Sequence, residues 1–394
     1  MALNFEEALK VALSAAKSIR EKEIVNLSNS LNRVIATDIR AKRALPPFNN
    51  SAMDGYGFRY KDKDTPLRVV KKILAGESVE PILGERECYK IMTGAKVPSD
   101  VDTIIPKEFC IQKDDMLYIQ KEVKRGNAIR LKGEEIEKGE LLLKEGEILT
   151  YAKIALLASQ GVSAIEVFKP LKIAIVATGS EVKEPWEEAN EDEIYNINSI
   201  NILMALKSFG FDSEYKGRLE DSFIKSKEFF KELKREYDLI ITTGGVSVGD
   251  ADFTKRALIE NGFRALFEGV RVKPGHPTMF GVMERSFIMA LPGNPLAAIL
   301  NFLLLGIPTI FKMQGAKFFR FKECRVKMGE ELTLKKGRAN IVLGNIKDGI
   351  FFPFNHNQYG SGMIMPLVKS SAVAIFNENI DRVEKNSIID VVLL

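Results

Sequence analysis

Apolar residues at Phe5, Leu9, Ala12, Leu13, Ala16 and Ile19 recur every three or four positions, with Glu6 and Glu7 near the start. That spacing lays one apolar stripe along a helix, and the first forty or so residues read as helical. From Arg43 to about Gly146 the rhythm shortens. Runs such as Arg68-Val-Val and Thr103-Ile-Ile are cut by Pro46-Pro47, Gly55, Gly57, Gly94, Gly126 and Gly133, which predicts a small β-rich domain. A helix over 150–159 follows, capped by Thr150 and stopped near Gly161.

Past Lys169-Pro170, apolar runs at 173–177, 239–242 and 287–291 predict buried strands, and alternation over 211–215 predicts another. Helical spacing at 199–209, 221–235 and 296–305 places helices between and after them. Strands alternating with helices imply a parallel sheet covered on both faces, a doubly wound α/β domain. Beyond Gln314-Gly315, short alternating segments near 325–328, 339–343, 372–376 and 388–393 predict a small C-terminal β unit. The most apolar stretch, 297–311, contains Asn301, Gly306 and Pro308 and falls short of the roughly 20 residues needed to cross a bilayer. It reads as a buried helix, with no membrane partner.

Composition narrows the chemistry. The 394 residues are 45% hydrophobic and 28% charged, enough apolar matter for several cores. A net charge of only +4 argues against a nucleic-acid partner. Two histidines (His276, His356) and three cysteines (Cys88, Cys110, Cys324) leave no comfortable zinc site, disulfide framework or Ser-His triad. Any metal or phosphate must therefore be held by carboxylates, backbone amides and lysines. The N-terminal stretch lacks the basic start and uninterrupted apolar core of a signal peptide, and the expectation is a soluble, cytoplasmic protein.

In open parallel sheets, ligands bind beyond the carboxyl ends of the strands. Here the three most apolar strands run into Thr178-Gly-Ser-Glu181, into Thr242-Thr-Gly-Gly-Val-Ser-Val-Gly-Asp-Ala-Asp252, and into Pro292-Gly-Asn-Pro295. Gly244, Gly245 and Gly249 let a backbone turn its N–H groups toward an anion, and Ser247 adds a hydroxyl. The spacing is neither a P-loop nor a dinucleotide fingerprint. Lys273-Pro-Gly275 offers a fixed cation, or simply a solvated lysine in a turn. Glu181, Asp221, Asp250 and Asp252 lie beside these loops; gathered next to phosphate they suit Mg²⁺, whereas singly each is a solvated or helix-capping acid. Asn50-Ser-Ala-Met-Asp-Gly-Tyr56, taken alone, reads as an Asp-Gly turn.

Together these strings carry a resemblance. Pro47-Phe-Asn-Asn-Ser-Ala-Met-Asp-Gly-Tyr56, Ile91-Met-Thr-Gly-Ala95, Arg130-Leu-Lys-Gly-Glu-Glu-Ile136, Ala177-Thr-Gly-Ser-Glu181, Gly244-Gly-Val-Ser-Val-Gly249, Lys273-Pro-Gly275 and Leu291-Pro-Gly-Asn-Pro295 occur in the order seen in the MoeA-type molybdopterin molybdenumtransferases, to which the E domain of gephyrin also belongs. The resemblance implies an α/β multidomain subunit: a helical segment over 1–42 and 147–169, an inserted β-rich domain over 43–146, an α/β molybdopterin-binding domain over 170–314 and a β-barrel over 315–394. It further implies a homodimer with its cleft between the α/β domain of one subunit and the inserted domain of the other. The implied reaction takes adenylylated molybdopterin and molybdate, inserts molybdenum into the dithiolene and releases AMP with Mg²⁺. Implied partners are the molybdopterin adenylyltransferase and recipient apo-molybdoenzymes.

Carried over by position, Asp54, Glu135, Glu181, Asp221 and Asp252 become the catalytic acids, and Glu181, Asp221 and Asp252 the cation ligands. Ser51, Thr93 and Arg130 reach in from the partner subunit. Thr178, Gly244, Gly245, Ser247, Gly249, Lys273, Pro292, Gly293, Asn294 and Pro295 hold substrate. The chain departs from the pattern at Glu135, where aspartate is usual, at His276, which replaces a second lysine, and at Gly269, where another lysine is often found and for which Arg271 is a substitute. Ser370-Ser371-Ala372 replaces an Ala-Asn-Gly string. The other readings are the preceding adenylylation step, which leaves the Asp54 string unexplained, and a non-catalytic scaffold, under which the five acids would have eroded.

Overall fold

The computed structural model describes the whole chain except Met1, Val79, Asp221 and residues 246–252. It divides into two compact units, one made of Met1–Thr37, Glu145–Ile154 and Ala164–Leu394, the other of Asp38–Lys144 and Ala155–Ser163.

In the smaller unit, six strands form a mixed sheet in the spatial order Thr103–Pro106, Gly55–Phe58, Glu87–Ile91, Leu67–Ile73, Met116–Ile119, Cys110–Lys113. Only Leu67–Ile73 and Glu87–Ile91 run parallel. Side chains alternate across the pleat: Tyr89 and Ile104 enter one apolar cluster, and their neighbours Cys88 and Ile105 enter the other, so both faces are covered. Gly55 is required at the head of its strand, since a Cβ there would lie 2.1 Å from the Ile105 carbonyl oxygen.

The larger unit opens with the helix Phe5–Ala15, held by a capping box in which Asn4 and Glu7 bond each other's backbone N–H. Residues 1–42 and 147–169 were expected to be helical. The structure instead confines helix there to Phe5–Ala15, Tyr151–Ser159 and a single 3₁₀ turn, and pairs Lys22–Asn26 with Ala164–Phe168 as antiparallel strands. A partner so distant in sequence leaves no local signal.

The α/β sheet follows the order Glu214–Leu219, Ile173–Thr178, Leu239–Thr243, Ser286–Leu291, Met279–Met283, Phe263–Glu268. Its first four strands are parallel. The strand expected over 211–215 begins later, at Glu214. Alternation again splits the two cores: Ile173 and Ile175 face one, Ala174 and Val176 the other. The expected parallel sheet forms the centre, and one edge adds Phe263–Glu268 and Met279–Met283 as antiparallel strands. Met283 pairs with Ser286 across a two-residue turn in which Glu284 is left-handed, φ 55°. Hairpins of this kind favour Asn-Gly or Asp-Gly, and Glu284-Arg285 carries no such sign.

The buried helix is longer than its pattern implied. Pro295–Asn301, a π turn at Phe302–Gly306 and Ile307–Met313 form one 19-residue apolar run, long enough to cross a membrane but 83% buried within the protein. Burial, rather than shortness, identifies it as a core element. Pro308 cannot donate to the preceding turn, and the wider π turn accommodates that gap. Beyond it, Glu323–Met328, Ala339–Lys347, Ile350–Pro353, Ala372–Phe376 and Ile388–Leu393 close into the expected C-terminal barrel around Val342, Phe351, Ala374 and Val391. Val272–Lys273 adds a parallel strand to it at Ala339 and Asn340.

Phe302 is wholly buried in this helix. Phe302→Ala is expected to cost about 3–5 kcal/mol, the range for truncating a buried aromatic, read as a lower denaturant midpoint at unchanged slope.

Candidate functional site

Parallel pairing places the ends of Ile173–Thr178, Leu239–Thr243 and Ser286–Leu291 side by side. Thr178 Oγ1 donates to the Thr243 carbonyl at 3.0 Å, and the Gly244 N–H donates to the Leu291 carbonyl at 3.0 Å. Gly244 and Gly245 are left-handed, with φ of 84° and 62°. A Cβ on Gly244 would meet Thr178 Oγ1 at 2.8 Å, and one on Gly245 would meet Thr254 Oγ1 at 2.5 Å, so this approach demands glycine. Asn198, in the first turn of Ile197–Ser208, donates from Nδ2 to the Gly293 carbonyl at 2.7 Å. The structure thus gathers Thr178, Gly244, Gly245 and Gly293. Ser247, Gly249, Asp250, Asp252 and Asp221 lie outside the described residues.

Glu181 stands at the same edge, exposed, its side chain folded back over Gly179. Its oxygens suit a hard divalent cation in kind. It is, however, the one member of the expected cation set within the described residues, and among these no group of three His, Cys, Asp or Glu side chains is disposed around a metal. Burial pushes the Cys88 thiol up to about 12 and the Cys110 thiol to about 11.

Lys273 opens a second feature. The Lys273-Pro274-Gly275 turn lies on the buried helix, where Asn301 Nδ2 donates to Ala297 at 2.8 Å and reaches the Pro274 and Gly275 carbonyls at 3.4 Å. A cavity of about 320 Å³ adjoins the turn, walled by Lys273, His276, Pro292 and Asn294 from the α/β domain and by Arg338, Asn340, Asn357, Tyr359 and Ser361 from the barrel. Among the described residues, three nitrogen bases and no carboxylate line it. Asn294 Nδ2 donates to Ser361 Oγ at 3.0 Å, joining the two walls. His276 Nδ1 bonds the Val270 carbonyl at 2.8 Å; it must therefore carry the proton, leaving Nε2 as the ring's other functional atom. Arg271, taken as the substitute for a missing lysine, is instead forked onto Glu378, with Nε–Oε2 at 3.2 Å and Nη2–Oε1 at 3.3 Å. Arg338 is the cation that reaches the cavity. Nothing in its local sequence marks it.

The smaller unit carries its own constellation. Asp54 Oδ1 accepts the Thr93 N–H at 2.9 Å and the Thr93 hydroxyl at 2.8 Å, and Oδ2 lies 3.6 Å from Lys107 Nζ. The Thr93 backbone N–H, then its hydroxyl, and to a smaller extent Lys107 hold the Asp54 carboxyl below the usual aspartate value. The Asp-Gly turn is therefore also an ordered carboxylate. Ser51, expected to contact substrate, is buried with its hydroxyl donated to the Met53 carbonyl at 2.6 Å; it shapes the turn. Arg130 pairs with Asn50 as a strand residue and is exposed, as is Glu135, whose N–H donates to Leu45 at 3.1 Å.

The fold and these loops define a multidomain α/β protein with a glycine-rich sheet edge and a terminal barrel. Residues 3–161 match the family model described as the MoeA N-terminal region (domain I and II), and residues 174–312 match the probable molybdopterin binding domain. The chain is 34% identical over 318 residues to the molybdopterin molybdenumtransferase of Haemophilus influenzae, covering 80% of this chain and 78% of that one, and 33% identical over 322 residues to that of Staphylococcus epidermidis, covering 80% and 77%. The crystal structure of the molybdopterin biosynthesis MoeA protein from Pyrococcus horikoshii OT3 superposes with a TM-score of 0.85 at 28% identity over all of both chains. The chain belongs to the MoeA family of molybdopterin molybdenumtransferases.

A depressed carboxyl pKa contributes stability above the ordinary aspartate range that is lost as pH falls through the lowered value. Asp54 should accordingly titrate by NMR below an unperturbed aspartate. Thr93→Val should raise its pKa only part of the way, because the backbone N–H remains; an unchanged value would contradict the assigned cause.

Proposed function

We propose that the protein inserts molybdenum from molybdate into adenylylated molybdopterin and releases AMP, acting in molybdenum cofactor biosynthesis. The observation that carries the site is the Lys273–His276–Arg338 cavity at the α/β edge: cations, amides and a hydroxyl, with no carboxylate among the described residues, suit a small oxyanion. Molybdate occupies this cavity as substrate. The phosphates of the adenylylated pterin lie along Thr178, Gly244, Gly245 and Gly293, with Ser247 and Gly249 completing the loop. Pro292 and Pro295 bracket the turn that presents Asn294.

Asp54, ionised at neutral pH and steadied by Thr93, orders the water that attacks the phosphoanhydride and accepts its proton, while the P–O bond to AMP breaks. Its lowered pKa argues against a role as proton donor to departing oxide. Glu135 and Arg130 complete this surface. Glu181, with Asp221 and Asp252, would hold Mg²⁺, which would supply charge neutralisation of the phosphates. Two copies of the chain are needed, the Asp54 constellation of one serving the sheet edge of the other. The protein works in the cytoplasm, between the molybdopterin adenylyltransferase and the recipient apo-molybdoenzymes.

Purified protein given adenylylated molybdopterin, molybdate and Mg²⁺ should release AMP. Asp54→Asn should slow this about a hundredfold, the lower range for a positioned base. Lys273→Ala should raise the KM for molybdate about tenfold, as expected for a lost charged hydrogen bond. No AMP release by the wild type contradicts the function; an unimpaired Asp54→Asn contradicts the assignment of Asp54.

A further inference from the structure

The barrel wall of the Lys273–Arg338 cavity hangs from an uncommon stretch of backbone. Asn355, His356 and Asn357 follow one another with φ of 45°, 52° and 62°. Residues other than glycine visit this left-handed region singly, so three in succession require restraint from their surroundings. Within the turn, Asn355 Nδ2 donates to the Gln358 carbonyl at 2.7 Å and the Gln358 N–H returns to Asn355 at 2.8 Å. The longer-range tie is His356, whose Nδ1 meets Glu330 Oε2 at 2.8 Å, 26 residues away. Glu330 is suited to hold it: its other oxygen, Oε1, is buried without a hydrogen-bond partner, so His356 supplies the contact that this carboxylate makes through Oε2. Downstream, Tyr359 is fixed as its hydroxyl accepts the Leu343 N–H at 2.9 Å, and Ser361 through Asn294. Asn357, a cavity wall residue, sits directly on the strained turn.

We propose that the His356–Glu330 contact is a latch that keeps this turn left-handed and so holds Asn357 in the cavity wall. His356 is thereby a positioning residue for anion binding, acting without touching the anion. Without the latch the turn relaxes toward the right-handed region and the wall shifts. The inference rests on the assignment of this cavity to molybdate.

Calorimetric titration of the full-length protein with molybdate, with Tm measured in parallel, tests it. His356→Ala should weaken affinity about fivefold or more, as a strained residue loses its restraint. His356→Gly also lacks the latch but adopts a φ near 52° without a Cβ penalty, and should recover most of that loss. Glu330→Ala should match His356→Ala, and the double variant should bind no worse than either, since both remove one contact. Wild-type affinity in His356→Ala, or equal loss in the Ala and Gly variants, overturns the latch. Lys273→Ala and Arg338→Ala separate the two claims. If they bind molybdate as the wild type does, the cavity assignment itself fails; if they lose affinity while His356→Ala does not, only the latch fails.

Discussion

One close packing contact supports the cavity. Gly275, φ 106°, lies against the middle of the buried helix so tightly that a Cβ would fall 1.7 Å from Asn301 Nδ2. The amide that fills this space bonds the turn's carbonyls, which leaves Lys273 at one end of the turn and His276 at the other. The same segment continues a barrel strand through Val272 and Lys273. A turn held by a core helix on one side and a barrel strand on the other fixes the backbone from which the exposed Lys273 side chain extends.

That arrangement explains how a chain with two histidines and a near-neutral charge handles a metal. Under the proposed function molybdenum would arrive as an oxyanion, which cations and amides can receive without soft ligands. Charge is sorted by place: among the described residues the cavity beside Lys273 has no carboxylate, while Asp54 stands ionised in the other unit under two hydrogen bonds from Thr93. Arg271 shows how finely this is drawn. Two residues from Lys273, it is neutralised by Glu378 and does not line the cavity, whereas Arg338, 65 residues after Lys273 in the chain, does.

Much of this was legible because local periodicity reports burial. The strands at 173, 239 and 287 are apolar on both faces, and no other environment suits such runs as well as a sheet covered twice. The glycine and proline strings at their ends were legible for a related reason, since Gly244 and Gly245 occupy backbone positions that forbid side chains. What escaped depended on distant partners. Lys22–Asn26 is a strand only because Ala164–Phe168 lies beside it, and the edge hairpin turns on Glu284-Arg285, a pair without turn character. Arg338 and Asn357 were invisible for the same reason: their role is set by where the barrel places them.

Under the proposed function, molybdate is held between the α/β edge and the barrel. A crystal structure of the protein soaked with AMP and molybdate, with molybdenum located by its anomalous scattering, tests it most directly. Molybdate bound there gives a peak in the cavity within hydrogen-bonding reach of Lys273 and Arg338. A fully occupied molybdenum site elsewhere, with that cavity empty, would contradict it.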